Sequence, residues 1–218
     1  MRIFVELYLC VTIEKKFKEI QMKDIISNSL ANSYSYAAYR NRIKDLLAEG
    51  KSSGDEQSDE ILAYSQLNET RMNRLDKTIK ITPETEAFLS DLNTEYIWLV
   101  LSEGWCGDAA QILPIINKMA QVSDKIDLQI AFRDENPELM NLYLTNGGKS
   151  IPKLIVIEKD TLNVLADWGP RPSEAVKLIL DYKATFGVID EAVKTQLQMW
   201  YLHDKGISTQ NEIVALLK

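Results

Sequence analysis

Trp105-Cys106-Gly107-Asp108-Ala109 joins two apolar segments of different period. The segment before it, residues 96–101, is a continuous apolar run typical of a buried strand. The segment after it, residues 109–119, carries apolar residues at helical spacing. The pattern predicts a strand-to-helix turn that brings Cys106 to the first turn of a helix. The helix dipole and the free N–H groups favour a thiolate at such a position.

Strand and helix patterns continue to alternate after this turn. The predicted elements are a strand over 126–132, a short helix from Pro137, strands over 153–157 and 162–168, and a helix from Pro172 or Ser173. The short turn between the last two strands predicts an antiparallel pair beside the parallel strands that strand–helix alternation favours. The sequence therefore predicts an α/β fold, a mixed sheet with helices on both of its faces.

The chain divides into four predicted regions. Residues 1–21 read either as a leader from a mis-assigned start, with translation beginning at Met22, or as a disordered arm. Residues 22–85 predict a helical extension, 86–185 the α/β domain, and 186–218 a helical tail. Within the extension, apolar residues recur at helical spacing through Ile26, Leu30, Tyr34, Ala37 and Ala38, a loop follows at 49–56, and Ser58 is placed to cap the next helix.

Composition narrows the class of protein. The 218 residues are 45% hydrophobic and 26% charged, as in an ordinary globular protein, and the net charge of −7 disfavours nucleic-acid binding. Two cysteines cannot form a disulfide framework, so we expect a reducing, cytoplasmic location. The single histidine disfavours a metal site and Ser-His-Asp catalysis. No apolar stretch reaches the roughly 20 residues that a membrane span needs.

The chain resembles the thioredoxin family over about residues 96–185. The family motif reads Trp-Cys-Gly-Pro-Cys, and this chain matches it at Trp105, Cys106 and Gly107 but has Asp108 and Ala109 in the last two positions. Two further matches to the family are Pro114, within the helix, and Ile151-Pro152, where the family has a cis-proline facing the active site; Val100 stands where the family has a buried acid. The resemblance implies a thioredoxin-like fold.

The resemblance also implies roles for individual residues. Cys106 would be the nucleophile of thiol–disulfide exchange in cell redox homeostasis. The substrate would be bound by the residues around it, which are Trp105, Gly107, Asp108, Ile151 and Pro152. Apart from the resemblance, residues 168–172 form a rigid turn after the last strand, and this position suggests that Arg171 receives an acidic group of a substrate, such as a glutathione carboxylate. The expected partners are protein or peptide thiols and disulfides.

Ala109 removes the thiol that would resolve a mixed disulfide, the intermediate of exchange. We expect a monothiol oxidoreductase at most, without a bound cofactor and with glutathione or another small thiol as co-substrate. Asp108 would raise the pKa of the neighbouring thiol and the helix N-terminus would lower it. Two alternatives stay open: a non-catalytic module that binds a peptide or protein between Trp105 and Pro152, and a peroxide-responsive thiol sensor.

Overall fold

A computed structural model describes the backbone of residues 2–218 and the side chains of residues 16–218. The helices are α1 (Arg2–Ala31), α2 (Tyr36–Ala48), α3 (Asp59–Thr78), α4 (Pro83–Ser90), α5 (Gly107–Ala120), α6 (Pro137–Leu142), α7 (Ser173–Phe186), α8 (Glu191–Asp204) and α9 (Ile207–Leu216). The strands are β1 (Tyr96–Ser102), β2 (Ile126–Phe132), β3 (Lys153–Glu158) and β4 (Val164–Trp168). The predicted α/β class, with helical segments before and after the sheet domain, is confirmed.

The four strands form one mixed sheet in the order β2-β1-β3-β4. β1 pairs parallel to β2 and antiparallel to β3, and β3 pairs antiparallel to β4. All seven residues of β1 are buried, because this central strand is covered on both of its faces. The uninterrupted apolar run that precedes Cys106 in the sequence is thus an inner strand of the sheet. The turn at its C-terminal end places Cys106 at the start of α5.

The α5 helix is almost entirely buried. Its apolar residues from Ala109 to Met119 pack into the core, and Pro114 lies inside the helix. Proline lacks the N–H that would bond to the preceding turn, so the helical ladder is interrupted there.

The helix predicted through Tyr34 is interrupted in the structure, and that part of the sequence interpretation is wrong. α1 ends at Ala31, and Tyr34 forms an antiparallel bridge to Ile130 of β2, with two N···O distances of 2.8 Å. Ser35 then begins α2 by accepting the N–H of Ala38. The outer edge of β2 forms hydrogen bonds with the backbone of Tyr34 in place of the next helical turn. Helical spacing in the sequence does not reveal such a long-range interaction.

A buried ion-pair network joins α2 to α3 within the extension. The Arg40 guanidinium is 5% exposed; Nη2 donates to both carboxylate oxygens of Glu69 at 2.9 Å and to Asn73, and Nη1 donates to Asp76. Tyr36 donates its hydroxyl proton to the same Asp76 carboxylate at 2.7 Å. Because one guanidinium bonds two carboxylates of the other helix, the pair α2–α3 is held in a fixed register.

The tail packs back onto the extension through α9 and α4. Gln210 is completely buried; its side-chain oxygen accepts the N–H of Thr82 at 2.9 Å, and its Nε2 donates to the carbonyl of Lys80 at 3.2 Å. The short helix α4, capped by Thr82 with Pro83 in its first turn, was not predicted from the sequence. The segments that precede and follow the sheet domain thereby contact each other.

The predicted division of the chain at residues 21, 85 and 185 stays a prediction. α1 runs across residue 21 without a break. Cys10 lies outside the residues whose side chains are described. Among the described residues, no helix combines the length and hydropathy that crossing a bilayer requires.

Candidate functional site

Cys106 is the N-cap residue of α5, one short turn after the end of β1. Its backbone is extended (φ −75°, ψ 114°), and its Sγ accepts the N–H of Ala109 at 3.4 Å. The thiol donates to the carbonyl oxygen of Ile151 at 3.2 Å. The sulfur therefore lies between the first turn of α5 and the loop before β3, with a hydrogen bond to each.

Burial raises the pKa of the Cys106 thiol to about 12, and the Asp108 carboxylate adds to the rise. The N–H groups of Ala109 and Asp108 and the charge of Arg171 act in the opposite direction but are outweighed. The residue is 7% exposed, so little water reaches the sulfur to stabilise a negative charge. At neutral pH the group is a thiol.

Asp108 is held by two partners from separate parts of the chain. Arg171 Nη2 lies 2.6 Å from its Oδ2, and the Tyr201 hydroxyl donates to its Oδ1 at 2.9 Å. The carboxylate is 8% exposed and would be costly to bury without these partners. Arg171, whose position in the turn suggested a role in binding a substrate carboxylate, thus already bonds a carboxylate of the protein.

Tyr201 is a site residue that the sequence reasoning missed. It lies in α8 with the apolar residues Val193 and Leu197, and all three are buried. Its hydroxyl, however, reaches a residue 93 positions earlier in the chain. The signal that the sequence offers is a tyrosine among apolar residues of a helix. A buried tyrosine needs a polar partner for its hydroxyl, but the sequence does not identify that partner.

The loop before β3 packs against the turn after β4. The Ile151–Pro152 and Gly169–Pro170 peptide bonds are both cis. Gly169 has φ +119°, and a Cβ at this position would lie 2.2 Å from the carbonyl oxygen of Pro152. Any side chain there would collide with backbone, so glycine is required for the close approach of the two turns.

Trp105 is half-buried, and it lies against residues from the loop after β2 and from the loop before α3. The Arg133 guanidinium lies 4.8 Å from the centre of the indole ring, and its Nε donates to Asp134 at 2.7 Å. Gly54, in the loop before α3, approaches so closely that a Cβ would be 3.2 Å from the indole nitrogen. A cation–π contact and a tight loop therefore fix the tryptophan beside Cys106.

Glu103 is a second buried acid that the sequence reasoning did not single out. It is 1% exposed, accepts the hydroxyl proton of Ser53 at 2.5 Å, and accepts the N–H of Asp134 at 3.0 Å. Burial raises its pKa to about 7, although both hydrogen bonds act to lower it. Glu103 connects the loop of the extension to the loop after β2, beneath Trp105.

A cavity of about 580 Å³ lies above Cys106. Its floor contains six residues that the sequence predicted for the site, namely Trp105, Cys106, Gly107, Asp108, Ile151 and Arg171, whereas the seventh, Pro152, is buried and does not line it. One wall is α3, through residues such as Ile61, Tyr64 and Arg71, and another is α8, through Lys194 and Gln198. The extension and the tail therefore flank the groove above Cys106. Among residues 16–218, no three His, Cys, Asp or Glu side chains are grouped as metal ligands.

Comparison with known proteins agrees with this architecture. Solved structures similar to the chain include a protein of unknown function from Pseudomonas aeruginosa (15% identity, TM-score 0.53, covering 84% of this chain and 97% of that one) and an HIV epitope scaffold (16%, 0.53, 84% and 98%). At such identities the likeness establishes the fold alone. No curated protein matches the chain. A family model described as Thioredoxin matches residues 54–186, which is more than half of the sequence. The chain therefore belongs to the thioredoxin family.

Proposed function

We propose that this protein acts in thiol–disulfide exchange through a single nucleophile, Cys106. The observation that carries the proposal is the position of Sγ at the floor of the cavity, between the Ala109 N–H and the Ile151 carbonyl. A disulfide bound in the cavity would meet the sulfur there, next to the Trp105 ring. The Ala109 N–H would stabilise the thiolate when it forms.

The exchange takes place in two steps. The Cys106 thiol loses its proton to water, and the thiolate attacks one sulfur of the bound disulfide. A new disulfide joins Cys106 to that sulfur, and the other half leaves as a thiolate. Because residue 109 is alanine, a thiol from outside must then attack the mixed disulfide and release Cys106. A small thiol such as glutathione, or a thiol of the partner, would supply that step.

The raised pKa limits the rate of this exchange. With a pKa of about 12, about one molecule in 10⁵ carries the thiolate at pH 7. An ordinary cysteine, with a pKa near 8.5, is about 3% ionised at that pH. Exchange by the protein in this conformation is therefore slow.

A second candidate function is binding without chemistry. Both hydrogen-bonding capacities of the thiol are used within the protein, and burial keeps it protonated. A peptide or a small molecule would then occupy the cavity against Trp105, and Cys106 would serve only as part of its floor. This candidate predicts that Cys106→Ser binds the same ligands as the wild type.

Treatment of the folded protein with oxidised glutathione, followed by peptide mapping in a mass spectrometer, distinguishes the two. Exchange predicts one glutathione on Cys106 and accumulation of the mixed disulfide, because Ala109 cannot resolve it. Ala109→Cys should prevent that accumulation and gain dithiothreitol-dependent reduction of insulin, while Cys106→Ser should remain unmodified at this position. If Cys106 is labelled only after unfolding, the exchange function is wrong and binding becomes the function that the site supports.

A further inference from the structure

The cavity above Cys106 has an excess of cationic side chains. Five basic residues line it, namely Arg71, Arg133, Lys149, Arg171 and Lys194, against three acidic ones, Glu60, Asp108 and Glu191. Three of the cations are paired within the protein: Arg171 with Asp108, Lys194 with Glu191 at 2.6 Å, and Arg133 with Asp134 at 2.7 Å. Arg71 and Lys149 form no salt bridge within residues 16–218, the part with described side chains.

Arg71 is held in position although no carboxylate binds it. Its Nη1 donates to the side-chain oxygen of Asn68 at 3.0 Å, and Asn68, which is 1% exposed, donates in turn to the Gly104 carbonyl at 3.0 Å. The Arg71 guanidinium is half-buried, and this burial lowers its pKa. A desolvated charge with one neutral partner is costly, and an anion is the ligand that would offset the cost.

The guanidinium of Arg71 also points to the reactive end of the cavity. Nη1 lies 3.7 Å from the position that a Cβ on Gly107 would occupy, so it stands over the first turn of α5, next to Cys106. An anion bound by Arg71 would therefore lie beside Gly107, the residue that follows Cys106 in the chain. The positive end of the α5 dipole contributes in the same direction.

The volume of the cavity suits a small ligand. α3 and α8 form its walls, and its volume of about 580 Å³ falls within the range of small-molecule sites, roughly 300–1,000 Å³.

We propose that the cavity binds a small organic carboxylate, with Arg71 as the residue that binds the carboxylate group and Cys106 beside it. The assignment extends the exchange function proposed above, since it names the substrate class as small thiols or disulfides that bear a carboxylate. The carboxylate would accept from the guanidinium in the geometry that arginine favours, with two parallel N–H···O bonds. Binding itself does not require the thiol, and the two proposals can be tested separately.

The first test compares the rates at which Cys106 reacts with an anionic disulfide, 5,5′-dithiobis(2-nitrobenzoate), and a neutral one, 4,4′-dithiodipyridine. We expect Arg71→Met to lower the ratio of the anionic rate to the neutral rate by about tenfold, and Arg71→Lys to retain part of it. The matched control is Arg42→Met, which removes an exposed arginine of α2 that does not line this cavity. It should leave the ratio unchanged.

The second test removes the thiol. Calorimetry on Cys106→Ser measures binding of 5-(methylthio)-2-nitrobenzoate and of its uncharged methyl ester. The acid should bind at least fivefold more tightly than the ester, and Arg71→Met should abolish that preference. An acid that binds no better than the ester, or does not bind, overturns the carboxylate site even where Cys106 reacts with disulfides. A carboxylate preference that persists while Cys106 reacts with neither disulfide supports the site and overturns the exchange function.

Discussion

Replacing Asp108 by asparagine should make Cys106 more reactive. The carboxylate is second only to burial among the causes that raise the thiol pKa, and Arg171 acts against it. Asparagine removes the negative charge and leaves the Arg171 guanidinium, now without its 2.6 Å partner, facing the site. Both changes favour the thiolate, so the pKa of Cys106 should fall.

The size of the effect follows from the charges involved. A like charge close to a titrating group shifts its pKa by roughly 1–3 units, and Asp108 is partly neutralised by its ion pair, so we expect a fall of about 1–2 units from the value near 12. The thiolate fraction at pH 8 then rises about 10- to 100-fold. A less basic thiolate is a weaker nucleophile, with a Brønsted coefficient of about 0.4–0.5, so the net gain in the exchange rate is about 3- to 10-fold.

The assay is the reaction with 4,4′-dithiodipyridine between pH 7 and 10 in a Cys10→Ser background, so that Cys106 is the only thiol. Arg171→Met should change the rate in the opposite direction, because it removes a cation that lowers the thiol pKa. Glu191→Gln removes a carboxylate from the same cavity that does not act on the thiol pKa, and it should leave the rate unchanged. An Asp108→Asn variant that folds and reacts no faster than the wild type would refute this electrostatic account of the thiol.

Three further changes test the structure around the site. Arg40→Met should lower the free energy of unfolding by about 3–5 kcal/mol in chemical denaturation, because it leaves two carboxylates of α3 without their buried partner; the exposed Arg42→Met should cost less than about 0.5 kcal/mol. Burial raises the pKa of Glu103 from 4.5 to about 7, so unfolding releases its proton between these two pH values. The contribution of this proton to the free energy of unfolding should be full below pH 4.5 and should fall by up to about 3 kcal/mol as the pH rises to 7. Denaturation curves of Glu103→Gln should lack that fall. Gly169→Ala should lower the melting temperature by at least about 5 °C, since the added Cβ collides with the Pro152 carbonyl at a positive φ; an unchanged melting temperature would mean that the two turns are not in contact.

The elements of the sheet domain could be predicted because local patterns encode them. The apolar run of β1 and the helical spacing of α5 specify a central strand and a buried helix, and both are found at the predicted residues. The turn between them is also local, so the position of Cys106 at the N-cap followed from the sequence. Residues that lie close in sequence at the end of a strand and the start of a helix must lie close in space.

The environment of the thiol could not be predicted in the same way. The Asp108 carboxylate accepts a hydrogen bond from Tyr201, and α3 and α8 form the walls of the cavity. These groups belong to segments far from residues 105–109 in the sequence. The break at Tyr34 has the same origin, because its backbone is bonded by the edge of β2 rather than by the next helical turn. Long-range polar pairs leave no periodic signal, and a helical pattern does not report which surface the helix will cover.

The bond between Tyr201 and Asp108 ties the environment of the thiol to the packing of the tail. α8 supplies both the donor to Asp108 and one wall of the cavity. Detachment of α8 from this site would leave Asp108 with Arg171 as its partner and would admit water to Cys106. Local unfolding of the tail would thus expose the thiol to oxidants and electrophiles while the sheet domain stays folded, so the rate of damage at Cys106 would report how often α8 opens.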